Sequence, residues 1–235
     1  MTRRLAGLAL ALTAGACAVS PYSHVSAFAE HTDANSFELF DGSLSSTEAL
    51  VLPVAHDRQT QGPSCGAHVL ASVINYWRQA PTVTGREIFE ANPPASDAGY
   101  SMAELVTLAQ TRGLLASAVR LSEENVVEEL ERGRPVLVPV RLPVIYIQQR
   151  ALPGGNIPIV GFVRSSLINR AGRFSELGDL GMVDHYLLVV GYEDNTLVIV
   201  EPVMGYRTIS NERLARYRIA FDDAAIVFSR RPRSD

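Results

Sequence analysis

The sequence predicts an α+β domain. Helix signals come first along the chain and an antiparallel strand-turn-strand pattern comes later. The composition agrees with a globular fold: 235 residues, 47% hydrophobic and 20% charged, are enough to bury one full core without crosslinks.

Each element follows from local chemistry. Residues 51–54 read as a short strand that runs into a polar loop. Pro63-Ser64 ends the loop, Ser64 is a candidate N-cap, and Cys65 to Trp77 reads as a helix with Val69, Val73, Tyr76 and Trp77 at helical spacing. Residues 81–100 are mostly loop, with a short helix at 86–91. Ser101-x-x-Glu104 is a capping box opening a helix that stops at Gly113. A strand follows at 114–120. Ser122 caps a helix over 123–132, stopped by Gly133, and residues 136–140 form a β-rich run. Residues 141–182 carry three prolines and six glycines and read as an irregular insertion. His185–Tyr192 and Thr196–Glu201 form a hairpin around a turn at 193–195. A short helix at 211–217 and a strand at 224–229 close the domain.

The N-terminal 29 residues read as a secretory signal. Arg3 and Arg4 precede an apolar run at 5–16 that is too short for an ordinary membrane span. Ala14-Gly15-Ala16-Cys17 has the form of a lipobox in which Cys17 carries lipid; cleavage near Ala27-Phe28-Ala29 and an uncleaved anchor are the alternatives. The expected destination is the periplasm or the outer membrane as a lipoprotein, or secretion. Residues 30–48 read as a tether and 49–235 as the folded domain, expected to be a monomer that meets a membrane only through Cys17. The net charge of −4 gives no basic footprint for nucleic acid. All 21 positive side chains are Arg, which excludes Schiff-base and Walker-lysine chemistry. No His/Cys/Asp cluster has metal-ligand spacing, so neither metal nor other cofactor is expected.

Once Cys17 is lipidated or removed, Cys65 is the one remaining thiol. An odd cysteine in an exported protein is either incidental or reactive. Cys65 sits at a helix start, where unpaired N–H groups and the helix dipole favour a thiolate. Gly66 beside it is expected to leave room for a substrate backbone. Gln59, six residues upstream, has an amide able to donate to an oxyanion. Of five histidines, His68 lies on the same helix as Cys65, whereas His185 opens the hairpin, a rigid place for a general base. With a three-residue turn, His185 pairs with Val203 and Leu187 with Glu201, so His185 and Glu201 share a face as diagonal neighbours. Asp184 and Asp194 are the alternative orienting acids.

Gln59-x5-Cys65-Gly66, then His185, then Glu201-Pro202, resembles the double-glycine-leader cysteine peptidases. These are C39-like members of the papain-like clan, found as peptidase domains of bacteriocin exporters and as free-standing bacterial relatives. The resemblance spans residues 50–229 and includes GYSMAEL at 99–105 and GRPVLVPV at 133–140. It implies a papain-like fold, with the helix bearing Cys65 packed on an antiparallel sheet bearing His185 and Glu201. It also implies peptide-bond hydrolysis, with Cys65 as nucleophile, His185 as base, Gln59 as oxyanion donor and Glu201 as orienter, and a preference for Gly-Gly or other small residues. The family has Asp where this chain has Glu201. No transporter P-loop accompanies the domain, so a free-standing exported peptidase acting on a peptide or protein substrate is expected. An envelope amidase or transacylase, a non-catalytic peptide-binding module, and a structural protein with an incidental thiol remain as other readings. Gly154-Gly155 reads as a flexible turn, and the 141–182 insertion as a rim of the cleft.

Overall fold

The computed structural model describes residues 38–39, 49–60, 62–148, 167 and 170–230. The signal with Cys17, Gly154-Gly155, and the tether apart from residues 38–39 lie outside the described residues. In chain order the elements are strand β1 (Glu38–Leu39), β2 (Leu50–Val51), helix α1 (Cys65–Arg78), α2 (Gly85–Ala91), α3 (Met102–Thr111), β3 (Leu114–Arg120), α4 (Glu123–Glu131), β4 (Val136–Pro143) and α5 (Val144–Gln148). A helix over residues 170–178, α6, comes next. It is followed by β5 (Met182–Glu193), β6 (Thr196–Glu201), β7 (Gly205–Ser210), α7 (Asn211–Arg218) and β8 (Ala224–Arg230).

Helix starts obey the local signals, with one exception. The Ser101–Glu104 capping box forms as expected, and Ser122 accepts the Asn125 N–H at the start of α4. Thr84 and Glu87 make a second capping box that fixes α2. Ser64 holds the N-cap position of α1, but its side chain makes no cap hydrogen bond. That helix is buried from Gly66 through Asn75. It is therefore a central helix rather than a surface helix with one apolar stripe, and Tyr76 and Trp77 only pack against the edge of the core.

The strands form one antiparallel sheet in the order β1-β7-β6-β5-β4-β8-β3, with β2 added against β5. Val136 to Val140 are all buried, and successive strand residues face opposite sides, so the middle of β4 is covered on both faces. Strand β7 and helix α6 were not expected from the sequence. The described ends of the 141–182 segment are regular, since β4 runs on to Pro143, α5 follows it and β5 begins at Met182. Inside it, α6 docks through polar groups: Tyr217 donates to Glu176 Oε1 at 2.5 Å, and Arg213 donates to the same oxygen at 3.3 Å. Its Phe174 and Leu177 point to solvent.

The β5–β6 hairpin has the expected register at its functional end by an unexpected route. Glu193 pairs with Thr196 across a two-residue turn, Asp194-Asn195, rather than a three-residue one. Asp194 takes the left-handed backbone conformation that such a tight turn needs (φ 48°). A bulge at Val190 then shifts the ladder, so that Val189 faces Ile199 and Leu188 faces Val200. A straight ladder from this turn would set Leu188 opposite Glu201 and put His185 and Glu201 on opposite faces.

Gly191 lies beside the bulge. A Cβ there would sit 2.3 Å from the Leu50 carbonyl oxygen and 2.9 Å from Val51 Cα, both backbone atoms of β2. Gly191→Ala is expected to push β2 off the sheet and to cost about 1–3 kcal/mol, read as a lower midpoint in urea unfolding.

Candidate active site

Cys65 is the first residue of α1 and is partly exposed. Burial raises its thiol pKa, but the charge and hydrogen bond of His185, together with backbone hydrogen bonds at Tyr186 and Gly66, outweigh it. The net shift is downward. Gly66 does not open a path for substrate as its position suggested. It is buried, and a Cβ on it would come within 3.1 Å of Leu105 and 3.3 Å of Tyr186, so glycine here lets α1 sit close to α3 and the sheet.

His185 lies on β5 opposite Val140 of β4 and is 5% exposed. Its Nε2 is 2.6 Å from Glu201 Oε1. Glu201 is fully buried and accepts two further hydrogen bonds, from the Val203 N–H at 3.1 Å and from the Met204 N–H. Burial disfavours the Glu201 carboxylate, yet these donors hold its pKa below the ordinary value. An ionised carboxylate only accepts, so it fixes the His185 proton on Nε2 and leaves Nδ1 for the hydrogen bond to Cys65. Burial likewise opposes the imidazolium. The Cys65 and Glu201 charges on either side overcome that and push the His185 pKa up to about 10. The arrangement is a Cys65–His185–Glu201 line in which both shifts favour a thiolate beside an imidazolium, anchored by a buried carboxylate.

The alternative acids are placed elsewhere. Asp184 forms an exposed ion pair with Arg141 at 2.8 Å, and Asp194 sits in the hairpin turn. His68 is structural, since its Nδ1 binds the Asp57 carboxylate.

Gln59 is buried in the loop that leads into α1. Its backbone N–H donates to the Pro202 carbonyl at 2.8 Å, and its side-chain amide donates to the Gly62 carbonyl at 2.7 Å. Two residues with no periodic signal in the sequence complete this loop. His56 Nε2 contacts the same Pro202 carbonyl at 2.8 Å. Asp57 accepts the Gly85 N–H at 2.9 Å and donates its own N–H to Ser72 Oγ at 3.0 Å. Sequence reasoning missed both, because they act through pairings that only the fold creates. A cleft of about 310 Å³ opens beside this loop, lined by Gly62, Ser64, His68, Phe89 and the Arg86–Glu90 pair. A larger cavity of about 580 Å³ lies at the other end of α1, against Trp77 and Pro81, and so is remote from Cys65. Among the described residues no group of three or more His, Cys, Asp or Glu is placed to hold a metal ion.

Residues 46–148 match the model of a family described as papain-like cysteine protease AvrRpt2. The match covers Gln59 and Cys65 and ends before His185. No curated protein matches the sequence. Among solved structures, a C39-like peptidase from Bacillus anthracis is 15% identical, with 79% of this chain and 100% of that chain covered and a TM-score of 0.52. The peptidase domain of Streptococcus ComA, a bi-functional ABC transporter involved in quorum sensing, is 17% identical, with coverages of 78% and 98% and a TM-score of 0.49. Xylellain, a cysteine protease from Xylella fastidiosa, is 14% identical, with coverages of 91% and 97% and a TM-score of 0.44. The fold is the papain-like one of C39-like peptidases.

Proposed function

We propose that this protein is a cysteine peptidase in which Cys65 is the nucleophile, His185 the general base, Glu201 the orienting acid and Gln59 an oxyanion donor. The observation that carries this reading is the single hydrogen-bonded line from Cys65 through His185 to a fully buried Glu201. His185 Nδ1 holds the thiol proton, and the thiolate attacks the peptide carbonyl. The oxyanion meets the unpaired N–H of Cys65 at the helix start and the second amide N–H of Gln59. The imidazolium then protonates the leaving amine, and water attacks the thioester with His185 again as base. The likeness to C39-like and papain-like proteases supports peptide bonds as the target. Cleavage after Gly-Gly or other small residues extends the same reading. Arg3, Arg4 and the apolar run at 5–16 support export, with lipid on Cys17 or cleavage near Ala29.

The test is incubation with a peptide containing Gly-Gly and with a matched peptide carrying Leu-Leu, read by mass spectrometry. Cleavage after the second glycine is expected, with none from Cys65→Ala. If peptidoglycan fragments are cut and peptides are not, the amidase reading replaces this one. If neither is cut and no acyl group appears on Cys65, the protein is not a hydrolase of this type.

A further inference from the structure

We infer that His56 is a positioning residue that sets the Gln59 oxyanion donor against the Glu201–His185 pair; this rests on the peptidase reading above. Two donors converge on one acceptor: His56 Nε2 and the Gln59 backbone N–H each lie 2.8 Å from the Pro202 carbonyl oxygen. Pro202 directly follows Glu201, whose carboxylate binds His185. The loop carrying Gln59 is therefore tied to the turn carrying the orienting acid.

The rest of the loop is pinned on its other side. Asp57 is bound to α1 through Ser72 and His68 and to α2 through Gly85. Tyr206 of β7 donates to the Val54 carbonyl. Residues 54–59 thus form a strap across the seam between the helices and the sheet, and His56 makes its one side-chain attachment at the Glu201 turn. Burial lowers the His56 pKa, so its ring is neutral and Nε2 can carry the one donor proton that Pro202 needs. Among the described residues, His56 Nδ1 and Gln59 Oε1 are buried without partners. No other side-chain bond at these two atoms holds the strap in place. The position of the Gln59 donor relative to the Glu201 turn is set by the two bonds to Pro202, and a shift of about 1 Å costs about 100-fold in rate.

Two reagents separate the strap from the ion pair. Iodoacetamide alkylates the Cys65 thiolate by displacement of iodide and forms no oxyanion, so its rate reads the thiolate–imidazolium pair alone. With p-nitrophenyl acetate, the thiolate attacks the ester carbonyl, an S–C bond forms through a tetrahedral oxyanion, and the acyl C–O bond breaks to release p-nitrophenolate. The ratio of acylation to alkylation therefore reads the oxyanion donors. In the full-length protein, Gln59→Ala is expected to lower the ratio about 100-fold. His56→Ala is expected to lower it about 10- to 100-fold with the alkylation pH profile unmoved. His56→Gln, which carries an N–H at similar reach, should recover most of the loss. Should His56→Ala unfold, His56→Met fills the space without a donor and is read against His56→Gln. A full ratio in the donor-free variants while Gln59→Ala is impaired overturns the His56 inference and leaves the peptidase reading standing. So does a ratio as low in His56→Gln as in the donor-free variant. An unchanged ratio in Gln59→Ala overturns both the inference and the role of Gln59. A wild-type Cys65 with ordinary alkylation and no acylation overturns the peptidase reading itself.

Discussion

His185→Ala will return Cys65 to a thiol that ionises only in alkaline solution. In the intact protein, burial opposes the thiolate and the adjacent imidazolium outweighs it. Removing the imidazole leaves the burial in place without compensation. The thiol should then titrate at or above about 8.5, the value of a free cysteine. At pH 6 its thiolate fraction, and with it the rate of alkylation by iodoacetamide, is expected to fall by at least about 100-fold. The wild-type protein should keep its reactivity from the lowered Cys65 pKa upward, and its imidazolium up to about pH 10. Peptide cleavage should follow a bell between those limits. If the variant alkylates at pH 6 as fast as wild type, the helix dipole alone sustains the thiolate and His185 is not its partner.

Glu201→Gln should damage both stability and catalysis. The native carboxylate accepts from His185 and from two backbone N–H groups, and it does so with no exposure to water. An amide of the same shape must direct its own N–H either at the His185 ring and the Val203 N–H, which share Oε1, or at the Met204 N–H on Oε2. In the first case the imidazole has to move its proton to Nδ1, the tautomer that cannot take one from Cys65. In the second, buried donors face each other. With the imidazolium also losing its buried counter-ion, the cost is expected at about 3–5 kcal/mol. For a domain of this size that lowers the melting temperature by about 6–20 °C. Turnover should fall by about 100- to 10,000-fold, in line with wrong-tautomer substitutions at triads of this kind. The pH dependence carries a sign. The raised His185 pKa contributes stability that is complete below about 6.5 and fades as pH rises toward about 10. The lowered Glu201 pKa contributes above the ordinary carboxylate value and is lost as pH falls through the shifted one. The variant should therefore lose most relative to wild type between about pH 4.5 and 6.5, where both contributions are complete. A melting temperature within about 2 °C of wild type would count against a buried charged pair.

The sequence made much of this site readable for physical reasons that are visible residue by residue. Capping boxes and stop glycines are local, so α3, β3 and α4 could be placed from their own neighbourhoods. The hairpin was legible because β5 and β6 are long β-rich runs. Its register was right only because two departures cancel: a turn one residue shorter than expected, and a bulge at Val190. Alternation of side chains cannot reveal a bulge inside a strand buried on both faces, where every residue is apolar. For the same reason β7 escaped notice, since GYRTIS mixes a buried Arg207 with apolar residues and shows no clean period. His56 and Asp57 were illegible in a different way. Their roles depend on Pro202, Ser72 and Gly85, partners set by the fold and not by spacing.

Cys65 and His185 stand half the length of the chain apart, and His185 reaches its place only when β5 is paired with β4 on one side and β6 on the other. Contacts of such long range form late, after the local helices, because closing the intervening chain costs entropy before any pairing repays it. Until then Cys65 is an ordinary thiol on a nascent helix. On the peptidase reading, the reactive Cys65–His185 pair is therefore assembled only when the sheet is completed.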